Sequence, residues 1–278
     1  MRMTKIVKFT KNRDVIYDLL TRAKKFHSTC SSIHELDVSA LMDACQSARK
    51  SGRPVSLNAC LIKATSLVIQ KYPRLNHHLF HGLFGKYEVA FEDINCNMIM
   101  MRRHQQEAIT LPVVIERTNH LTIEEIDKII QYNLTTPLEK LPQIQGIQRL
   151  KRLPRIAMKW FSYKCRSDYR FYQKYFGSYG FSSGIIEDHN GVHQERLGVV
   201  TQALANTCTA FLPASVSEEA VVIDGEIKAR KILTFTLLVD HYLIEAREAM
   251  MAVRYLKDLI AEPSLLGLPC SFSGEGNE

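Results

Sequence analysis

A chain of 278 residues with 46% hydrophobic content can bury a substantial core, and its scattered 13 glycines and 9 prolines form no flexible linker, which favours one domain. Seven cysteines at positions 30, 45, 60, 96, 165, 208 and 270, odd in number and never spaced Cys-x-x-Cys, argue against a disulfide framework or a zinc ribbon and point to a reduced, cytoplasmic setting. The basic N-terminus lacks the apolar run of a signal peptide, no stretch of about eighteen apolar residues exists to span a membrane, and the net charge of +7 is concentrated in one segment.

The first element in chain order is an amphipathic helix from Arg13 to Lys24, with Val15, Ile16, Leu19, Leu20 and Ala23 on one face. A shorter helix covers Ser39 to Arg49, and Ser56 caps a long one containing Leu57, Leu61, Ala64, Val68 and Ile69, which Pro73 closes. Extended segments follow over Lys86 to Asp93, Asn97 to Arg102 and Ile109 to Glu116. Thr122 and Glu125 form a capping-box pattern ahead of Ile126, Ile129 and Ile130, so a helix begins there.

From Arg149 to Lys174 nine Lys or Arg (149, 151, 152, 155, 159, 164, 166, 170, 174) face one acid, Asp168, with Trp160, Phe161, Tyr163, Tyr169, Phe171 and Tyr172 interleaved. Such a segment attracts phosphates or an anionic surface, although a solvated, partly packed excursion gives the same composition. No nucleic-acid motif accompanies it, so a specific nucleic-acid partner is not expected.

The last third reads as strands over Arg196 to Thr201, Ala205 to Leu212 and Ala220 to Ile223, then a hairpin turn at Asp224-Gly225. Ile232 to Val239 is an apolar, β-branched run typical of a buried strand, and Ala249, Met250, Val253, Leu256 and Ile260 make a helix that ends before Pro263. Helices and strands are mixed without regular βαβ alternation, so the fold class is α/β in the α+β sense: a mixed sheet flanked by helices. Residues 1–267 are expected to form a single domain and 268–278 a flexible tail.

The residue of chemical interest is His241, at the junction of that strand and helix. A neutral imidazole held there can take a proton from a hydroxyl, thiol or amine near neutral pH; the plainer reading is a polar residue ending a strand. His77 with His81 and His189 with His193 have the i,i+4 spacing of metal ligands if helical, but neither pair has an obvious third ligand nearby, so no metal is expected. The chain has no Gly-x-Ser-x-Gly elbow, Gly-rich phosphate loop or dinucleotide fingerprint.

His241-Tyr-Leu-Ile-Glu245-Ala246 resembles the His-x-x-x-Asp-Gly signature of the chloramphenicol acetyltransferase and dihydrolipoamide acyltransferase superfamily, and Asp240 matches the aspartate that precedes the histidine in the dehydrogenase-complex branch. Glu for Asp and Ala for Gly are the departures. Three further blocks occur in family order. Arg13 to Leu20 resembles a segment whose arginine pairs with the signature carboxylate, Val55 to Asn76 the first core helix with its Pro-x-x-Asn turn, and Gly177 to Gly184 the family's serine strand. The likeness is thinnest between Ala90 and the serine strand.

This resemblance implies an acyltransferase that moves an acyl group from coenzyme A, or a related pantetheine thioester, to a small acceptor. It implies a homotrimer with acyl-CoA as co-substrate and no permanently bound cofactor. His241 would be the general base, and Ser182, or Ser183 one position on, the oxyanion donor. Arg13 and Glu245 would form a partly buried ion pair beneath the histidine loop, with Asp240 orienting its neighbours. Lipoyl and small binding domains with their linkers are not visible, so the expectation is a free-standing catalytic core. The alternative is a non-catalytic trimeric scaffold that keeps the fold.

Overall fold

The computed structural model describes residues 23–182 and 207–268, except 54, 105, 106 and 153, together with residues 17, 20 and 21. A six-stranded mixed sheet organises them, in the order β1-β8-β7-β6-β4-β5. Its strands are β1 (Thr29–Asp37), β4 (Cys96–His104), β5 (Glu107–Ile115), β6 (Tyr179–Ser182), β7 (Thr209–Ile223) and β8 (Glu226–Asp240). Only β6 runs parallel to its neighbours β4 and β7; the other pairs are antiparallel. A separate hairpin joins β2 (His77–Gly82) and β3 (Gly85–Ala90).

Helices α1 (Ser39–Lys50), α2 (Leu57–Lys71), α3 (Ile123–Thr135) and α7 (Ala246–Ala261) pack together with the sheet around the principal core. Local sequence explains their starts. Ser56 accepts a bond from the Ala59 N–H at 3.2 Å, and Thr122 and Glu125 complete the capping box reciprocally. Fully buried Ala59, Ile62, Val68 and Ile69 line the inward side of α2.

Between β5 and β6 the chain builds α4 (Pro142–Arg152), α5 (Arg155–Ser167) and α6 (Tyr169–Phe176). The basic aromatic segment therefore becomes the end of α4 and a helix pair. Asp168 caps α6 by accepting from the Phe171 N–H at 3.1 Å. The pair is tied to the small hairpin by buried Phe80, Phe91 and Tyr172.

The strands expected at 205–212 and 220–223 belong to one fifteen-residue strand, β7, whose bulge at Pro213 to Ser215 accommodates the proline. Its first nine residues are buried and the rest alternate, and β8 mirrors this, so the hairpin's outer half leaves the core. Asp224 and Gly225 both take positive φ (54° and 83°), as a tight type I′ connection requires. The described residues between 17 and 26 are helical, in line with the first expected helix. The expected strand at 196–201 lies outside the described residues, as does the tail apart from Leu268, which is buried. Six of the seven cysteines are described, and all are free thiols. No described helix is long and apolar enough to cross a membrane.

Candidate active site

β8 ends at Asp240 and the chain turns through residues 241–245 before α7 begins. Leu243 and Ile244 are buried and anchor the turn, which leaves His241 and Tyr242 exposed. The turn is closed by the Leu243 and Ile244 N–H groups, each 3.0 Å from the Asp240 carbonyl, while the His241 N–H donates to the Ser28 carbonyl at 2.7 Å.

The His241 ring is oriented by its own turn. Nδ1 lies 3.1 Å from the Ile244 carbonyl, and because a carbonyl only accepts, Nδ1 carries the hydrogen. In the neutral ring Nε2 is then the basic nitrogen. No hydrogen bond from the described residues occupies it.

Asp240 holds this turn from below. Its Oδ2 accepts from His27 Nδ1 at 2.6 Å, and Oδ1 accepts from the Ser28 and Tyr242 N–H groups, each at 3.1 Å. Burial pushes the carboxyl up, but the bonds from His27, Tyr242 and Ser28 outweigh it and hold the group below the usual aspartate value. Asp240 is therefore a carboxylate with both oxygens engaged, joining the start of β1 to the histidine turn.

The Cys208 thiol, pushed up by burial, stays protonated and approaches Asp240 Oδ2 at 3.9 Å. Among the described residues, His27, Cys208 and Asp240 are the one cluster whose ligand-type atoms lie close enough to hold a metal, within 4.8 Å of one another. Their mutual bonds read as positioning. His27 had no signal in the sequence: it is a lone histidine whose partner lies 213 residues away.

Ser182 ends β6 and is half-buried. Phe181 lies in the core, so strand alternation turns Ser182 to the opposite face of the sheet. Register separates it from His241 within one chain. Phe181 pairs with Phe211, which pairs with Leu237, so Ser182 stands level with Thr236, five residues short of His241 and two strands away. That is about 17 Å along the strands and about 10 Å across them. Ser183 lies outside the described residues.

Glu245 is exposed and occupies the N-cap of α7 with extended backbone, making no side-chain cap bond. Its expected partner Arg13 lies outside the described residues. His77 and His81 sit on strand β2, not on a helix, so the i,i+4 ligand geometry does not arise; four strand residues span about 13 Å. His77 instead bonds Glu88 across the hairpin at 2.5 Å, and His81 stacks near Phe26. His189 and His193 lie outside the described residues.

A turn carrying an oriented imidazole, set at the end of a mixed sheet covered by helices, is the framework of a catalytic domain. The family described as 2-oxoacid dehydrogenases acyltransferase (catalytic domain) matches residues 2–142 and 209–268. The chain belongs to that family, and with it to the enzymes that transfer acyl groups. The match runs unbroken through the stretch beyond Ala90 where likeness had looked thin, and it omits 143–208, which holds most of α4, α5, α6 and the serine strand.

Solved structures agree on the fold. The dihydrolipoamide acetyltransferase of Azotobacter vinelandii is 15% identical with a TM-score of 0.65, covering 96% of this chain and 95% of that one. A truncated catalytic core of the 2-oxoacid dehydrogenase multienzyme complex of Thermoplasma acidophilum is 16% identical with a TM-score of 0.61, covering 94% and 99%. The cubic core of a pyruvate dehydrogenase multienzyme complex is 14% identical with a TM-score of 0.63, covering 96% and 95%. No curated protein sequence matches the chain.

Proposed function

We propose that this acyltransferase moves an acyl group from coenzyme A, or a related pantetheine thioester, directly to a small acceptor, with His241 as general base and Ser182 as oxyanion donor. The observation that carries the reading is the Ile244 carbonyl at 3.1 Å from His241 Nδ1, which leaves Nε2 basic on an exposed ring. Nε2 takes the proton of the acceptor hydroxyl or thiol as its oxygen or sulfur attacks the thioester carbon. The Ser182 hydroxyl donates to the carbonyl oxygen as it becomes an oxyanion. Collapse breaks the carbon–sulfur bond, and the departing thiolate recovers the proton from Nε2. No acyl-serine forms.

The Azotobacter enzyme has a serine, a histidine and, four residues after the histidine, an asparagine whose roles in its catalytic mechanism were investigated. In this chain the fourth position after His241 is Glu245. The separation of His241 and Ser182 along the sheet supports a site assembled from two chains of a homotrimer, and the cubic core among the similar structures is itself a multimer. The acceptor includes a lipoyl group carried on another chain as well as a free small molecule.

The test is a screen of acyl-CoA donors with mass detection of released thiol and acylated product, followed by single variants. His241→Ala is expected to lower turnover about a hundred- to ten-thousand-fold with the fold retained. Ser182→Ala is expected to lower kcat by about a hundred- to a thousand-fold while KM for the thioester changes little. Wild-type turnover in the first variant removes the proposed base. An unchanged Ser182→Ala beside a crippled Ser183→Ala moves the donor role by one residue. Thiol release from no donor, with an intact trimer, favours the scaffold.

A further inference from the structure

The outward face of α5 and α6 combines large exposed apolar side chains with positive charge. Ile156, Lys159 and Trp160 follow one another at three- and four-residue spacing along α5, so they share a helix face. Ile156 is 78% exposed and Trp160 56%. On α6, Arg170, Lys174 and Tyr175 are exposed as well. The Phe171 ring joins the two faces, with its centre 6.1 Å from that of Trp160 and 5.0 Å from that of Tyr175. The one acid in the stretch from 149 to 174, Asp168, is already engaged by Lys164 at 3.3 Å and by the α6 cap.

Burial of the opposite side accounts for why this face points outward. Ser162 and Cys165 on α5 and Tyr172 on α6 are buried. The aromatic content of the inner side is satisfied by packing against Phe80 and Phe91, so the outer tryptophan, tyrosine and isoleucine are surplus to the core. The family match leaves this helix pair out altogether, so its outer face is not explained by the shared catalytic framework.

We propose that this face docks on an anionic lipid surface. Tryptophan and tyrosine present an apolar body and a polar tip, which suits the level of lipid headgroups, and lysine and arginine between them meet the headgroup phosphates. Each basic side chain near such a surface adds to the attraction, and the effect decays within a Debye length. Isolated protruding side chains with charges of one sign fit a laterally fluid, half-polar partner better than a protein surface, which pairs such charges at fixed positions. The proposal stands apart from the acyl-transfer reading, because binding is measured without substrate.

Trp160 is the sole tryptophan of the chain, so its fluorescence reports this face alone. The full-length protein is mixed with vesicles of phosphatidylglycerol in phosphatidylcholine, and separately with phosphatidylcholine alone. Anionic vesicles are expected to shift the emission to shorter wavelength and to carry the protein down on sedimentation. Both effects should fade as salt rises from about 0.1 M to about 0.5 M. Lys159→Glu combined with Lys174→Glu should cut partitioning at least about tenfold, with far-ultraviolet circular dichroism and melting temperature unchanged. Equal binding to neutral vesicles, or no loss in the charge variant, overturns the proposal. Emission that is already short-wavelength without lipid and indifferent to vesicles also overturns it, since another copy of the chain then covers the face. A shift produced by an acidic protein and not by vesicles assigns the face to a protein partner instead.

Discussion

Asp240 and His27 show what fixes the catalytic turn at the scale of single residues. Both side chains are 1% exposed, and the bond between them is 2.6 Å. Replacing His27 by phenylalanine leaves a buried carboxylate with one partner fewer, and a loss of about 3–5 kcal/mol in unfolding free energy by denaturant titration is expected. The pH dependence has a definite sign. Because the Asp240 carboxyl is held below its ordinary 3.8 in the folded chain, its contribution is fully present above that value and is lost as pH falls through the lower, folded value. Acid titration of stability should steepen below about pH 4 in the wild type, and Asp240→Asn should flatten that limb. An unchanged limb in the variant assigns the acid sensitivity elsewhere.

Glu245 invites a second residue-scale test. An exposed N-cap glutamate without a cap bond has little to lose, so Glu245→Gln and Arg13→Met should be additive in stability and turnover if no pair forms. A double variant that costs clearly less than the sum restores the ion pair the signature implies. His241 was legible in the sequence because an apolar strand and an amphipathic helix flank it. His27 was not, because periodicity carries no trace of a contact made 213 residues away.

Elements were legible where they announce themselves locally. Ser56, the Thr122 capping box and Asp224-Gly225 each place a boundary by a hydrogen bond or a backbone angle that neighbouring residues alone determine. β1 was missed for the opposite reason. It is an edge strand paired only with β8, and along Thr29–Asp37 Leu36 is the one buried residue, so no apolar alternation marks it. β7 was divided because Pro213 reads as a strand end until a bulge makes room for it.

Gly177 is a more demanding boundary. It has φ +63°, and a Cβ there would lie 2.6 Å from the Asn95 carbonyl oxygen. The glycine thus ends α6 and lets β6 lie against the start of β4, where the Ser178 N–H donates to that same carbonyl at 2.7 Å. Gly177→Ala should cost at least about 1–3 kcal/mol from backbone strain alone. It should also lower turnover more than an equally destabilising change in α1, because Ser182 is displaced with β6. Thermal melts paired with kinetics separate the two effects. Equal loss of stability and activity in both variants means that β6 does not position the serine.

The whole molecule poses the question that the single chain leaves incomplete. His241 and Ser182 are carried by strands of one sheet, yet they lie at different levels and about 17 Å apart along the strand direction. A proton acceptor and an oxyanion donor must both reach one carbonyl group, each within about 3 Å of its target, which a single chain with this register does not allow. Rotation about a threefold axis brings the serine edge of one chain to the histidine turn of the next, without changing either. Each trimer then has three sites, each with one residue from each of two chains. Exchange between inactive His241→Ala and Ser182→Ala trimers produces some interfaces that combine the intact histidine of one chain with the intact serine of another. Activity should therefore reappear on mixing under exchange conditions, to no more than a minority of wild type, and stay absent when chemical crosslinking blocks exchange. A fully active monomer by light scattering, or mixed trimers shown by native mass spectrometry to have exchanged and still inactive, means that both residues serve within one chain or that one of them is not catalytic.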